Sequence, residues 1–171
     1  MKLVLPTSRL RLFPFAKTDQ ELLHRTFTDP FVRKFLWDDE IIPEAQAKAI
    51  LGKNENHFQN DHWGLWKIIR KADETYQGFA GRWYFFGEVQ PQLLYGLLPK
   101  ATGQGYATEA SRVVTNYAFE ELGFSYLVAS CDPPNTDSRK VIKRLGMQFV
   151  EERLEQDRPI VFYRLNKEEL E

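Results

Sequence analysis

Cysteine is almost missing from this chain. Cys131 is the single example among 171 residues, so no internal disulfide can form. One thiol and no secretory leader point to a reducing, cytoplasmic setting. Long apolar runs are missing as well. None approaches the ~20 residues that cross a bilayer, so no membrane partner is expected. Neither sign of charge is in excess, with 23 Lys and Arg against 24 Asp and Glu. That balance speaks against general nucleic-acid binding, which calls for a basic patch. His24, His57 and His62 are scattered over the first half, and no metal is expected. There is no repeat, no low-complexity tract and no linker long enough to split the chain, which implies one domain over residues 1–171.

What is present is core material. Hydrophobic residues make up 43% of the chain and include 13 Phe, 7 Tyr and 4 Trp. Arg9 to Phe15 alternates and predicts a first strand. Thr18 and Glu21 have the spacing of a capping box ahead of Leu22, Leu23 and Phe27, which predicts a helix ending at Asp29-Pro30. A second helix is expected from Pro43 to Phe58. Trp63 to Arg70, Tyr76 to Phe86 and Leu93 to Leu98 predict three strands separated by turns. Ala110, Val113, Val114, Tyr117 and Ala118 then fall at helical spacing, with Gly123 placed to end that helix. Tyr126 to Cys131 is an apolar run of the kind found in buried strands. A last helix carries Ser138, Val141, Ile142 and Leu145 on one face and stops at Gly146. Two closing apolar segments predict a hairpin. This order calls for an α/β (mixed α+β) fold, a mixed sheet with helices on both faces.

The stretch TGQGYATEA, Thr102 to Ala110, follows a strand and opens a helix. A helix N-terminus presents unpaired N–H groups and the positive end of its dipole. Glycines before it let backbone close around an anion. A turn needing glycine for its dihedral angles alone is the competing reading. No Gly-x-x-x-x-Gly-Lys-Ser/Thr occurs, which argues against a nucleoside-triphosphate loop. A dinucleotide-binding oxidoreductase is an alternative, with Asp132 on the ribose. Against it, Thr108 holds the third glycine position, and too little chain remains for a second mononucleotide half.

LLPKATGQGYATEA resembles the acetyl-CoA-binding motif of the GNAT acetyltransferase superfamily. That motif runs Arg or Gln, two residues, Gly, one residue, Gly or Ala, and falls here on Thr102, Gly105 and Ala107. The chain is similar to the Rim-type branch, which acetylates protein N-termini, and to its small-molecule-modifying relatives, through Tyr95, Leu98-Pro99 and Gly103 to Ala110. Asp132-Pro-x-Asn135-x-x-Ser138, Leu145-Gly146, the opening Thr7-x-Arg9-Leu10-x-Leu12 and the final Phe162-Tyr163-x-Leu165 match too. The resemblance implies a central, mostly antiparallel seven-stranded sheet splayed in the middle. It implies an acetyl-CoA-dependent N-acetyltransferase, monomer or homodimer, acting on a primary amine of a protein N-terminus or small molecule by direct attack on the thioester. Gly103 and the backbone amides of Gln104, Gly105, Tyr106, Ala107 and Thr108 would hold the CoA diphosphate. Leu97 and Leu98 would pair with the pantetheine amides as a peptide joins a sheet edge. Asn135 and Ser138 would meet the pantetheine arm or the thiol end. Asn135 reads equally as a helix N-cap.

The chain departs from the family in three places. Thr102 replaces the usual Arg or Gln. Ile142 stands where many members have a Tyr that serves as general acid. Pro91 and Gln92 occupy the strand region where relatives often carry Glu. The nearest carboxylate, Glu88, is the candidate base, and Ser138 the candidate at the thiol. These losses leave a non-catalytic CoA-binding protein as an alternative. Cys131, in an apolar strand without an adjacent His, reads as packing rather than an acyl carrier.

Overall fold

The computed structural model describes residues 3–170. A first sheet runs in chain order through β1 (Leu5–Pro6), β2 (Leu10–Pro14), β3 (Leu65–Arg70), β4 (Tyr76–Trp83) and β5 (Gln92–Leu97). Every pairing in it is antiparallel. A second sheet holds β6 (Tyr126–Cys131), β7 (Gln148–Glu155) and β8 (Arg158–Asn166), with β8 in the middle. Among the described residues no backbone ladder joins β5 to β6. The expected splay is there. Among the described residues the two sheets together hold eight strands rather than the seven expected, because β1 is a two-residue strand, too short for any periodicity to announce it.

The helices are α1 (Gln20–Thr28), α2 (Pro30–Leu36), α3 (Glu44–Asp61), α4 (Tyr106–Glu120) and α5 (Thr136–Arg144). Asp29-Pro30 ends α1 but also begins α2, which the sequence reading did not anticipate. The Asp29 carboxylate accepts from the N–H groups of Phe31 at 2.9 Å and Val32 at 3.4 Å, and proline suits the first helical position. Thr18 caps nothing. It lies in a short 3-10 turn, where Asp19 accepts from the Ala16 N–H at 2.8 Å. β4 stops at Trp83, three residues short of Phe86, because Phe86 and Gly87 both take positive φ in the turn to β5.

The sheet separates two cores. Phe15, Leu23, Phe27, Leu51 and Phe79 pack on the face covered by α1, α2 and α3. Leu12, Trp66, Ala80, Val114 and Ile142 pack on the face covered by α4 and α5. Adjacent Phe79 and Ala80 point to opposite cores, as strand alternation requires. On α4 the buried Tyr106, Ala110, Val114, Tyr117 and Ala118 recur every three or four residues, so one stripe faces the sheet. Full burial of a valine such as Val114 contributes about 1.5–3 kcal/mol. Ile142 is 1% exposed and belongs to this core. Several polar side chains are buried as well, Arg82 among them. It is completely buried, with its guanidinium 4.9 Å from the Phe124 ring centre. One nitrogen donates to the Pro91 carbonyl, whereas Nε and Nη1 have no partner.

Candidate functional site

The turn between β5 and α4 brings the predicted glycines together at a helix start. Gly103 has φ +76° and Gly105 φ +82°, the left-handed region where a side chain costs roughly 1–2 kcal/mol. Gly105 is the N-cap of α4 and has no side chain to cap it. The first bond of the helix runs from the Glu109 N–H to the Gly105 carbonyl at 3.0 Å. Among the described residues nothing accepts from the N–H groups of Tyr106, Ala107 and Thr108. The Thr108 hydroxyl is also buried without a partner. Space above the turn is open. A Cβ on Gly103 would meet nothing within 4 Å, and one on Gly105 only Arg9 Nη2 at 3.4 Å. Orphaned donors, a helix dipole and open room suit an anion.

The one acid in the first turn of α4 is turned aside. Glu109 accepts from the Thr7 hydroxyl at 2.7 Å, the Arg9 backbone N–H at 2.9 Å and Arg9 Nε at 2.8 Å, with Arg9 Nη2 at 2.6 Å. Burial alone would raise its carboxyl pKa. The hydrogen bonds from Thr7 and Arg9 and the guanidinium charge outweigh burial and hold it below the usual carboxylate value. From Gly105 a groove of about 530 Å³ follows the outer face of α4 past Thr108, Arg112 and Asn116 to Arg144. Arg112 Nη2 donates to the Arg144 carbonyl at 3.1 Å, so two cationic side chains stand at its far end.

The second part of the site is the gap between the sheets. The Leu98 N–H donates to the Gln77 carbonyl at 2.9 Å, closing the ladder with β4. Strand alternation therefore turns the backbone of Tyr95 and Leu97 toward β6. Leu97 has an open edge. Leu98, expected to share that role, has its N–H committed to Gln77. Side chains bridge the gap instead of backbone. The Ser130 hydroxyl donates to Gln92 Oε1 at 2.5 Å. The Tyr95 hydroxyl lies 2.7 Å from Ser138 Oγ and 3.0 Å from the Ser138 carbonyl oxygen. Farther out, Arg153 pairs with Glu88 at 2.9 Å, and Arg158 on the last hairpin pairs with Asp38 after α2.

Asn135 caps α5, its Oδ1 accepting from the Ser138 N–H at 3.2 Å, which places Ser138 in the first turn beside Cys131. Burial pushes the Cys131 thiol up to about 11, so it is protonated at neutral pH. Burial likewise raises the Asp132 carboxyl, with Arg158 opposing. Glu88 does not stand free as a base. Its carboxylate is ion-paired to Arg153, which also holds Glu151 at 3.0 Å and Glu155 at 2.6 Å. Glu88 also precedes β5, at the strand end away from Leu97. Sequence reasoning missed the pairings of Tyr95 with Ser138 and of Gln92 with Ser130. They join residues 43 and 38 positions apart, across elements that share no ladder, and no local pattern marks them. Among the described residues no three His, Cys, Asp or Glu side chains converge as a metal site, and no helix is long and apolar enough to cross a membrane.

Comparison with known proteins gives this geometry a family. Residues 9–148 match the family described as acetyltransferase (GNAT) domain. The chain is 27% identical over 142 residues to the uncharacterized N-acetyltransferase YnaD of Bacillus subtilis, covering 83% of this chain and 81% of that one. It is 27% identical over 159 residues to the FsC-acetyl coenzyme A-N(2)-transacetylase of Aspergillus fumigatus, covering 86% of this chain and 66% of that one. An acetyltransferase from Agrobacterium tumefaciens has the same fold, with a TM-score of 0.83 at 22% identity over 96% of this chain and 94% of that chain. So does RimL, the ribosomal L7/L12 alpha-N-protein acetyltransferase, in its complex with coenzyme A, with a TM-score of 0.79 at 13% identity over 95% of this chain and 97% of that chain. The chain belongs to the GNAT acetyltransferases and is an acetyl-CoA-dependent N-acetyltransferase.

Proposed function

We propose that this enzyme acetylates the primary amine of a protein N-terminus or of a small molecule, with the turn at Gly103–Thr108 holding the cofactor's diphosphate. The observation that carries this reading is the set of unsatisfied donors there, the N–H groups of Tyr106, Ala107 and Thr108 and the Thr108 hydroxyl, around open space. Acetyl-CoA supplies an activated acyl carbon and a sulfur leaving group. The residues do the rest. Backbone amides from Gln104 to Thr108 bind phosphate oxygens with the α4 dipole behind them. Arg112 and Arg144 lie along the groove that starts at Gly105 and offer positive charge to the remaining phosphate. The open edge at Leu97 pairs with an amide of the pantetheine arm. Ser138 stands at the thiol end, with Asn135 holding the start of α5 in place. The whole chain acts as one unit, because the gap takes Tyr95 from one half and Ser138 from the other.

Both acceptor classes have support. RimL, of the same fold, acts on the N-terminus of a ribosomal protein, and the Aspergillus relative is an N(2)-transacetylase. The pairing of Glu88 with Arg153 favours a second reading, a CoA-binding protein without turnover. The experiment is thiol release from acetyl-CoA against a panel of peptides with free N-termini and of small amines, with binding followed by calorimetry. Release with one class and not the other assigns the acceptor. Binding without release from any amine supports the second reading, and absence of binding removes both.

A further inference from the structure

We infer that Asp132 receives the acceptor's ammonium group and takes from it the proton that must leave before nitrogen attacks the thioester. The inference rests on the acetyl-CoA reading above. It concerns a different carboxylate from Glu88, which precedes β5 and is held by Arg153.

The two faces of the second sheet divide the reactants. Leu127 and Ala129 of β6 and Val161 and Tyr163 of β8 are buried in the core beneath α4 and α5. Strand alternation therefore sends Ser130 of β6 and Arg158, Ile160 and Phe162 of β8 to the opposite face. Asp132 continues the Ser130 side just past the end of β6, and its neighbours agree. The charges that act on it are Arg158 from β8 and Asp38 from the segment after α2. The glycine turn and α5 lie on the other side. Between them, the Cys131 thiol is hydrogen-bonded to Ser138 and senses the charge of Asp132. A cofactor laid along α4 thus brings its thiol end to the gap from one face, and Asp132 meets it from the other.

Asp132 has no donor of its own. Arg158 pairs with Asp38 instead, and among the described residues no hydrogen bond reaches the Asp132 carboxyl group. Arg139, on α5, is turned elsewhere, donating to the Tyr163 hydroxyl at 3.1 Å and the Pro133 carbonyl at 3.2 Å. Two carboxylates therefore share one guanidinium, and the group is short of one positive charge. An incoming ammonium supplies it. Burial raises the Asp132 carboxyl, with Arg158 opposing and Asp38 adding to the rise. The same burial disfavours the charged form of a bound amine, so the gap drives the pair toward neutral acid and free amine.

Bonds and protons balance. One ammonium N–H bond breaks and an O–H bond forms on Asp132. The freed electron pair on nitrogen forms the C–N bond, and the C–S bond breaks with its pair on sulfur. A second N–H proton leaves to solvent, and the sulfur takes one from solvent. Asp132, partly exposed, returns its own proton to solvent. The sum is ammonium plus thioester to amide, thiol and one proton.

The test compares the native protein with Asp132→Asn, which keeps the shape and removes the charge. Coenzyme A should bind the two within about twofold by calorimetry. With the amine or peptide found by thiol release as acceptor, Asp132→Asn should lower kcat/KM near neutral pH about a hundredfold. The native profile should be flat between the Asp132 pKa and that of the free amine. The variant can use only amine that is already neutral, so it should gain about tenfold per pH unit there, and the deficit should close as pH rises. A purely structural role would keep the two profiles parallel. Asp132→Glu should recover part of the loss. A second measurement needs no acceptor. The carboxyl-carbon NMR signal of Asp132, assigned by its loss in Asp132→Asn, should titrate above an ordinary aspartate, and higher still in Arg158→Gln. Parallel profiles, a loss under about threefold, or a carboxyl that titrates at or below the ordinary value overturns the inference. If Asp132→Asn does not fold, Asp132→Glu assigns the signal and the same carboxyl criterion decides. Coenzyme A bound without turnover of any amine would overturn the inference and acetyl transfer together, and failure of coenzyme A to bind would strike the acetyl-CoA reading itself.

Discussion

Replacing Gly105 separates the backbone role of the glycine turn from its electrostatic one. Its φ of +82° is left-handed, and a Cβ there meets nothing nearer than Arg9 Nη2 at 3.4 Å. Gly105→Ala therefore fits sterically and costs only the conformational preference, about 1 kcal/mol, which lowers Tm by a few degrees in a chain of this size. Gly105→Asp tolerates the left-handed region better than alanine does, and its carboxylate gains Arg9 as a neighbour. Its stability should equal or exceed that of Gly105→Ala. Affinity should move the other way. A carboxylate about 5 Å from one phosphate charge is repelled by roughly 3 kcal/mol at an effective dielectric of 20 and by under ~1 kcal/mol in bulk water. Acetyl-CoA should thus bind Gly105→Asp between about fivefold and a hundredfold more weakly than Gly105→Ala. The difference should shrink as salt rises from about 0.01 to 1 M, where the Debye length falls from ~30 to ~3 Å. Calorimetric titration at two salt concentrations, beside thermal unfolding without ligand, reads both quantities. Affinities within twofold for the two variants would show that no phosphate sits at this turn.

Other substitutions probe what surrounds it. Glu109→Gln should cost about 1–2 kcal/mol near neutral pH, since Thr7 and Arg9 donate to its carboxylate. Because the folded-state pKa is depressed, that contribution is complete above the ordinary carboxylate pKa and is lost as pH falls through the folded value. Denaturant unfolding from pH 7 to 3 should show the native advantage narrowing, and an unchanged gap at pH 3 would refute the assignment. Cys131→Ala should retain most turnover, and alkylation of Cys131 should stay slow at pH 7, as suits a thiol pushed up to about 11; fast modification at neutral pH would contradict this. Arg82→Met should leave Tm unchanged or raise it, because the buried guanidinium lacks two partners and its pKa is pushed down to about 9. A loss above about 2 kcal/mol would mean that its contacts with Pro91 and Phe124 outweigh its desolvation.

Most strands and helices were legible because their apolar residues repeat at two or at three to four positions. Gly123 and Gly146, both at positive φ, end α4 and α5 where glycine was expected to end them. The glycine turn was legible because its chemistry is local, with donors and glycines contiguous in the chain. The start of α2 was hidden because Asp29-Pro30 serves equally as a stop and as an N-cap with its first residue. Glu88 read as a base because its partner, Arg153, lies 65 positions away. The Tyr95–Ser138 contact was illegible for the same reason. The motifs carried each residue, but only the packing of α5 behind the splay brings the two hydroxyls together.

The bridges across the splay have a mechanical consequence. Backbone ladders fix strand spacing at about 4.8 Å whatever the side chains are. Between β5 and β6 the separation is instead a property of particular side chains, Gln92 with Ser130, Tyr95 with Ser138 and, farther out, Glu88 with Arg153. Substituting one of these shortens or lengthens a single brace while both ladders keep their register. The width of the slot is thus adjustable in small increments without refolding either sheet. Its inner edges are strands that no backbone ladder joins among the described residues, and side chains of the opposite sheet stand across them.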